Sequence, residues 1–168
     1  IHVFNSRSAS VGETLIACKI RECEEKGMAF ADTVSETEAY IEGQHTYFVL
    51  ENLDTLRKNG RLTGIKSFVA SALNIKPVMG STPQGTICQL GQARGIKRAL
   101  VKMAEHIVRD GRETKEKVLA IAHCNCPERA REVERMLLDK IRVKDSFIVD
   151  TAGISTMYAN DGGIIVVL

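Results

Sequence analysis

The stretch "KVLAIAHCNCPERAREVERMLLDKIRVKDSFIVD", residues 117–150, decides the fold class. It opens with the short apolar run "KVLAIAH", which predicts a buried strand, and it closes with "SFIVD", which predicts a second strand. Pro127 stands between them, where the first turn of a helix tolerates proline. The apolar positions of this helix recur at helical spacing and are Ala130, Val133, Leu137 and Ile141. A strand, a helix and a strand in succession predict an α/β layered architecture.

The chain on either side of this stretch adds elements of the same kinds. The terminal "GIIVVL" is apolar throughout, which is typical of a strand covered on both faces. Residues 93–110 carry the most regular helix pattern, with apolar positions Ile96, Leu100, Met103 and Ile107. The segments "IKPVM" and "TICQL" flank the turn residues "GSTPQG" and predict one antiparallel hairpin near residues 75–90 in a mixed sheet. Pro77 suggests that "IKPVM" is an edge strand.

The first third of the chain also carries patterns that predict strands and helices. "IHVFNS", residues 1–6, is a β-like run, and the spacing of Ser10 and Glu13 has the form of a capping box at a helix start. Gly27 supplies the helix stop. The next predicted elements are a helix around 31–42, a strand at 46–50, a short helix closed by Gly60 and an apolar helix at 65–74 that could be stable only when buried.

Composition argues against several classes of protein. The chain has 168 residues, 44% of them hydrophobic, which is enough for one core or for one domain and part of another. Its formal charge of +2 gives no support to a nucleic-acid binder. No segment approaches the roughly 20 apolar residues of a membrane span. We therefore expect neither nucleic acid as a partner nor stable membrane insertion.

The five cysteines bear on location and on metal binding. Their odd number and the lack of a paired framework suit a reducing compartment, so a cytoplasmic location is expected. Cys124 and Cys126 lie beside His123 in "AHCNCPE" and raise the possibility of a metal site. A tetrahedral site needs four ligands, and no second Cys/His pair occurs elsewhere in the sequence. The sequence therefore predicts no metal and no other cofactor.

The loop "LRKNGRLTG", residues 56–64, has two interpretations. Gly60 is explained by a helix C-cap, because glycine reaches the left-handed conformation without steric cost. Arg61 could lie against the sheet, pair with an acidic neighbour, or hold an anion through its planar guanidinium. The loop lacks the Gly-Lys-Ser/Thr ending of a phosphate loop, which favours scaffold over ligand contact.

Arg94, Arg98 and Lys102 recur at every fourth position and are predicted to share one face of the helix at 93–110. A solvated face is the ordinary interpretation of such a stripe. The alternatives are a face that docks an acidic partner and, for Arg94 at the predicted helix start, a side chain that points into a cleft.

The polar segment "STMYANDGG", residues 155–163, directly precedes a buried strand. Loops at the ends of such strands often shape ligand sites, so Tyr158, Asn160 and Asp161 are candidates for ligand contact. A plain turn explains the segment equally well. No Ser-His-Asp or Cys-His arrangement is visible at local spacing, and no catalytic residue is predicted.

Several of these stretches together resemble the DegV family of bacterial lipid-binding proteins. The resemblance covers nearly the whole chain in order. It rests on "VFNSRSASVG", "FVLENLDTLRKNGRLTG", "LNIKPVM", the arginine of "GQARGIKRAL", "KVLAIAH" and the closing loop and strand. The combination of "GRLTG" with "LNIKP" is its most specific part. The resemblance implies a two-domain, DegV-like α/β fold, with residues 1–50 as the remnant of an incomplete N-terminal domain and 51–168 as the C-terminal domain.

The resemblance also implies a function. Such proteins are similar to the acyl-binding subunit of bacterial fatty acid kinase, which holds a long-chain fatty acid in a tunnel and presents it to a separate ATP-dependent kinase subunit. The binding subunit itself is not the catalyst. Candidate tunnel walls, for which core packing is the competing role, are Ile65, Phe68, Val69, Leu73 and Ile75.

Arg94 matches the family's arginine near the headgroup and the partner surface. Two positions depart from the family pattern: Asn5 replaces an aspartate, and Ala159 lies at or near the place of a histidine. The family's carboxylate-gripping residues lie upstream of the first matching motif. Two other functions stay open, namely a phosphate- or nucleotide-handling enzyme that uses "NGRLTG" and Arg94, and an interaction module that docks through the basic helix.

Overall fold

The computed structural model describes residues 1–62, 74–111 and 113–168. Its elements in chain order are α1 (Val11–Glu25), α2 (Phe30–Glu42), β1 (Thr46–Val49), α3 (Asp54–Lys58), β2 (Ile75–Ser81), β3 (Ile87–Arg94), α4 (Ile96–Asp110), β4 (Val118–His123), α5 (Pro127–Leu138), β5 (Asp145–Asp150), α6 (Gly153–Ala159) and β6 (Ile164–Val167). A short 3₁₀ turn at Thr114–Glu116 precedes β4. The apolar helix predicted at 65–74 lies almost wholly outside the described residues.

The strands form one mixed sheet in the order β3-β2-β1-β6-β4-β5. β4 and β5, joined by α5, run parallel, and the other neighbouring strands are antiparallel. The predicted hairpin is confirmed as β2 and β3, which pair from Ile75 opposite Arg94 to Ser81 opposite Ile87. The predicted α/β layered fold with a mixed sheet is therefore confirmed.

The sheet includes residues from both sides of the predicted boundary at residue 50. β1 falls within the range 1–50, and it lies in the middle of the sheet between β2 and β6. Helix α1 packs its Val11 and Leu15 against Ala120, Ala122 and Val167 of β4 and β6. The division into 1–50 and 51–168 stays a prediction.

The two faces of the sheet bury different sets of residues, because successive side chains of a strand point to opposite faces. On one face, α4 and α5 cover the residues that we call the closed-face cluster. Its members are Tyr47, Val49, Val78, Ala99, Leu100, Met103, Ala104, Ile107, Leu119, Ile121, Ala130, Val133, Leu137, Ile164, Val166 and Leu168. On the other face, α1 covers β4 and β6, while α3 and α6 lie over β1 and β2.

The prediction of a strand at residues 1–6 is wrong, since these residues pair with no strand of the sheet. The predicted capping box is also wrong, although the helix expected after it is present as α1. Ser10 has φ 58° and makes no side-chain capping bond. Glu13 does not reach back to Ser10, and its Oε1 accepts a hydrogen bond of 3.2 Å from the Ser6 hydroxyl.

The prediction of β2 as an edge strand is wrong as well. β2 lies between β3 and β1, but its register with β1 extends only over Met79 and Gly80. Pro77 pairs with Gln92 of β3 and lies beyond the end of the ladder with β1. A missing backbone N–H is tolerated there because no donor is required on that side.

Candidate functional site

Several chain segments meet at one end of the sheet, which we call the carboxyl edge. Val49 at the end of β1 and His123 at the end of β4 both pair with Ile164 at the start of β6. His123 also pairs with Asp150 at the end of β5. The β2–β3 hairpin brings the start of β2 and the end of β3 to this edge. Ligand sites of α/β folds commonly lie outside the carboxyl ends of strands.

An apolar cluster lies at this edge on the face opposite α4 and α5. We call it the edge cluster, and its buried members are Phe48, Leu50, Leu53, Leu56, Met79, Cys124 and Ala159. Leu62, Ile87, Tyr158 and Ile165 pack against it and are only partly buried. The helices α3 and α6 that contribute to it are five and seven residues long, so they are only about one and a half and two turns in length.

A charged network borders the edge cluster. Glu51 Oε2 lies 2.8 Å from Lys76 Nζ, and Glu51 Oε1 lies 3.1 Å from Arg129 Nη2. Lys76 Nζ also donates a hydrogen bond of 2.6 Å to the Glu51 carbonyl oxygen. Arg129 Nη1 donates to the Gly162 carbonyl oxygen. We call this network the Glu51 clasp, and none of its residues is predicted by the sequence patterns.

Gly162 is required for the close approach within the clasp. Its φ is +80°, and a Cβ added there would lie 2.6 Å from Arg129 Nη1 and 3.0 Å from Glu51 Cγ. Backbone hydrogen bonds of 2.9 and 3.0 Å join Gly162 and Gly163 to Cys124. The Gly-Gly pair of "NDGG" is therefore more than a plain turn, and it is the one local signal that could have pointed to this contact.

His123, Asp150 and Cys126 form a second polar group at the same edge. His123 Nδ1 lies 3.3 Å from Asp150 Oδ1, and the Cys126 backbone N–H donates to the same nitrogen at 3.4 Å. Burial raises the pKa of the Cys126 thiol. Within residues 1–62, 74–111 and 113–168, no group of three or more His, Cys, Asp or Glu side chains could hold a metal ion.

The predicted ligand contacts divide into three groups. Ile65, Phe68, Val69 and Leu73 lie outside the described residues. Ile75 is half-buried and faces Arg94 across the hairpin at the carboxyl edge. Tyr158 packs against the edge cluster, and Asn160 adopts φ 56° while its Nδ2 donates to the Tyr158 carbonyl oxygen at 3.1 Å.

The prediction of residues 155–163 as a polar loop is wrong in part. Gly153–Ala159 forms α6, and only the residues from Asn160 onward make the turn into β6. The polar sequence does not predict this short helix, because few of its apolar side chains pack into the core. Ala159 is buried, Tyr158 is partly buried, and Ile154 is 69% exposed.

The predicted basic face is also corrected. Arg94 is the last residue of β3, and α4 begins only at Ile96, so the three cations do not share one helix face. Arg98 is exposed on α4. Lys102 is half-buried and donates a hydrogen bond of 3.3 Å to the Gln92 carbonyl oxygen of β3. The four-residue spacing of these cations continues across the end of β3, so it predicts a shared helix face where a strand in fact ends.

A cleft of about 330 Å³ lies between the first half of α4 and α5. Ile96 and Leu100 contribute apolar side chains, and the remaining lining residues are charged: Lys97, Glu128, Arg129, Glu132 and Arg135. Arg129 thus lines this outer cleft and also takes part in the Glu51 clasp.

The loop at residues 56–62 serves as a helix stop. Gly60 has φ 69°, its N–H donates to the Arg57 carbonyl oxygen, and the Arg61 N–H donates to the Leu56 carbonyl oxygen. This is the hydrogen-bond pattern of a Schellman motif. The backbone amides of Gly60 and Arg61 already donate to carbonyl oxygens of α3, so these two amides are not free to bind an anion.

In the part of the chain that the structure describes, no helix is long and apolar enough to cross a membrane.

Comparison with known proteins decides the family. The family model described as "Uncharacterised protein, DegV family" matches residues 1–167. The chain belongs to the DegV family. The resemblance found in the sequence motifs is therefore confirmed.

Similar proteins come from several bacteria. A DegV domain-containing protein of Streptococcus gordonii is 31% identical over 165 residues, which are 98% of this chain and 58% of that protein. A DegV family crystal structure from Ruminococcus gnavus ATCC 29149, described with vaccenic acid, is 71% identical with a TM-score of 0.97, covering 100% of this chain and 60% of that one.

A third similar protein carries a functional name. The Streptococcus pneumoniae fatty acid kinase (Fak) B3 protein, loaded with linoleic acid, is 30% identical with a TM-score of 0.86, covering 99% of this DegV chain and 59% of that chain. The DegV chain thus spans 58 to 60% of the length of these relatives.

Proposed function

We propose that this DegV protein binds a long-chain fatty acid in an apolar tunnel and presents its carboxylate to an ATP-dependent fatty acid kinase subunit. One observation carries the proposal. The Ruminococcus gnavus relative matches the whole chain at 71% identity, and its structure is described with vaccenic acid, a long-chain fatty acid.

The edge cluster supplies the physical basis for binding a hydrocarbon chain. Each methylene moved from water to an apolar site contributes about 0.8 kcal/mol, so such a ligand needs an apolar wall and few polar groups. The partly buried Tyr158, Leu62 and Ile87 border that wall. Ile65, Phe68, Val69, Leu73 and Ile75 remain proposed tunnel walls on the basis of their apolar sequence.

The polar end of the ligand is proposed to lie at the carboxyl edge. Arg94 is an exposed cation at this edge, and Asn160 lies where the chain turns from α6 into β6. A guanidinium suits a carboxylate because its planar donors match two oxygens at once. Arg94, Tyr158 and Asn160 are therefore kept as proposed contacts of the headgroup.

The kinase partnership is the finer part of the proposal. It is supported by the likeness to the Fak B3 protein. We propose that Arg94 and Arg98, both exposed, contribute to the docking surface, and that Lys102 contributes less because it is bonded to β3. In this role the DegV protein is a non-catalytic subunit.

We also propose that the protein acts in the cytoplasm. All five cysteines lie among the described residues and are free thiols. Free thiols persist in reducing compartments, which supports this location.

Binding is tested with the intact, delipidated protein. Palmitate and oleate are titrated while native mass spectrometry records any fatty acid carried through purification. Saturable binding or a co-purified acid is the expected result. A protein that binds neither acid and carries none would contradict the proposal.

Docking is tested separately by reversing charge. Arg94→Glu with Arg98→Glu is expected to slow phosphorylation of the bound acid by the kinase subunit at low salt, since steering depends on charge. Arg21→Glu on α1 is the control, because Arg21 is exposed and remote from the carboxyl edge. Equal kinase rates for all the variants would remove these residues from the docking surface.

A further inference from the structure

The Glu51 clasp joins four separate parts of the chain through a single carboxylate. Glu51 follows β1, Lys76 is the second residue of β2, and Arg129 lies in the first turn of α5. Gly162, in the turn before β6, accepts from Arg129. All four segments border the carboxyl edge.

The charges of the clasp do not cancel. Two cations face one carboxylate, and their side chains are largely withdrawn from water, with 16% of Lys76, 24% of Arg129 and 33% of Glu51 exposed. Partly buried like charges repel more strongly than they would in water. Without the Glu51 charge, the two cations held around its oxygens would repel each other, and removing one partner of a buried pair is destabilising.

The clasp and the edge cluster are connected through neighbouring residues. Leu50 and Leu53 of the cluster flank Glu51 in the chain, and a Cβ added at Gly163 would lie 2.9 Å from Leu50 Cδ2. Cys124 of the cluster is bonded to Gly162 and Gly163 through its backbone. A shift of the clasp would therefore move the segments that border the apolar wall.

We propose that Glu51 is a positioning residue of the ligand site, whose carboxylate holds Lys76, Arg129 and the Gly162 turn so that the edge cluster keeps its binding shape. This inference rests on the proposed fatty acid binding and adds to it. Glu51 need not touch the ligand, because its effect passes through the two cations and the glycine turn.

The chain offers a matched control at the other end of the sheet. Glu22 of α1 also faces two lysines, with its Oε1 2.6 Å from Lys26 Nζ and 3.8 Å from Lys144 Nζ. Lys144 directly precedes the start of β5, which pairs with the start of β4. Glu22→Gln thus removes a carboxylate with two cationic partners far from the edge cluster.

The test measures oleate affinity of the intact protein at a temperature well below unfolding. Glu51→Gln is expected to weaken binding by about tenfold, a coupling of ordinary size for charged groups in contact. Glu51→Asp keeps the charge and is expected to lose less affinity. Glu22→Gln is expected to bind as the wild type does.

A second variant separates positioning from general stability. The double variant Glu51→Gln with Lys76→Met also removes one of the two cations that would repel each other. Its loss of oleate affinity is therefore expected to be smaller than the product of the losses in the two single variants. If Glu51→Gln alone fails to fold, the double variant is compared with Lys76→Met alone, and equal oleate affinities of these two proteins would overturn this inference. A wild type that binds no fatty acid would overturn the proposed function and this inference together. Unchanged affinity in Glu51→Gln, an equal loss in Glu22→Gln, or strictly multiplicative losses in the double variant would overturn this inference alone.

Discussion

The two faces of the sheet are built differently. Under α4 and α5, sixteen buried residues of the described chain form one continuous cluster, and both helices are long, with 15 and 12 residues. On the opposite face, the described residues form two smaller buried clusters, one of seven residues at α3 and α6 and one of five residues at α1. Among the described residues, one face is therefore a large core under two long helices, while the other has a smaller apolar region under the short helices α3 and α6.

This difference indicates how stability and binding are divided. The closed-face cluster is the largest buried cluster among the described residues, so we expect it to contribute most to stability. Both clusters have partly buried residues at their margins, but the edge cluster is the smaller one and is bordered by the Glu51 clasp. An apolar wall with a few charged groups beside it is a feature of a site that accepts an amphipathic molecule. The comparison predicts that mutations on the two faces separate stability from affinity.

Met103→Ala on the closed face is expected to have the largest effect on stability. Met103 is a fully buried residue of α4, and truncating such a side chain costs about 2 to 5 kcal/mol, because a cavity remains. Urea denaturation measures the loss. Oleate affinity, measured while the variant is folded, is expected to stay unchanged, and a parallel fall in affinity would contradict the separation of the two faces.

Leu53→Ala in the edge cluster is expected to cost less stability and more affinity. Leu53 is 4% exposed but belongs to a smaller group with partly buried neighbours, so a loss near 2 kcal/mol, at the low end of the range, is expected. The same two measurements apply as for Met103→Ala. If both variants keep full affinity, the edge cluster does not form the wall of the site.

Gly60→Ala tests the helix stop near the edge cluster. A residue with a Cβ in the left-handed conformation costs about 1 to 2 kcal/mol, so a loss of about 1 kcal/mol is expected in urea denaturation. Gly43→Ala at the end of α2 is the matched control, because Gly43 has φ −83° and an added Cβ meets nothing closer than 3.7 Å. Equal losses in both variants would refute the conformational explanation.

The smallest expected effect is on the pH dependence of the free energy of unfolding, and it comes from His106 of α4. Burial, and then the nearby Arg109 guanidinium, hold the pKa of His106 below its usual value. The folded state thus binds fewer protons here than the unfolded chain. The contribution of neutral His106 to the free energy of unfolding is fully present above the unfolded pKa of about 6.5, and it is lost as the pH falls below that value.

His106→Gln is therefore expected to make the free energy of unfolding less dependent on pH between about 7.5 and 5. Asp110 bonds to Arg109 and has a lowered pKa, which acts on stability only at lower pH. The measurement is denaturant unfolding of wild type and variant at each pH. Identical slopes for the two proteins would show that His106 does not contribute.

Much of the fold is predictable from local patterns. The helices α1, α2, α4 and α5 follow from apolar spacing, and the β2–β3 hairpin follows from its turn residues. Two of the errors share a physical cause, since each depends on contacts beyond the local segment. Pro77 is tolerated inside the sheet only because β1 is short, and Arg94 was assigned to a helix whose start is set by the end of β3.

The candidate site is less predictable than the fold. Tyr158 is predicted only as a ligand contact, and its packing against the edge cluster does not test that prediction. No sequence pattern predicts the Glu51 clasp, because its three charged residues are far apart in the sequence. Each of them alone reads as an ordinary surface charge. The Gly-Gly pair before β6 is a turn signal in the sequence, whereas the approach of Gly162 to Glu51 and Arg129 is not predictable from it.

The sequence by itself determined the alternation of strands and helices, the stop at Gly60 and the membership of the DegV family, because these depend on residue spacing and on ordered motifs. The tertiary structure alone decided that Glu51 meets Lys76 and Arg129 and that the apolar residues divide between two unequal faces. The reason is physical: periodicity is a property of neighbouring residues, whereas the meeting of distant charges depends on strand order and register.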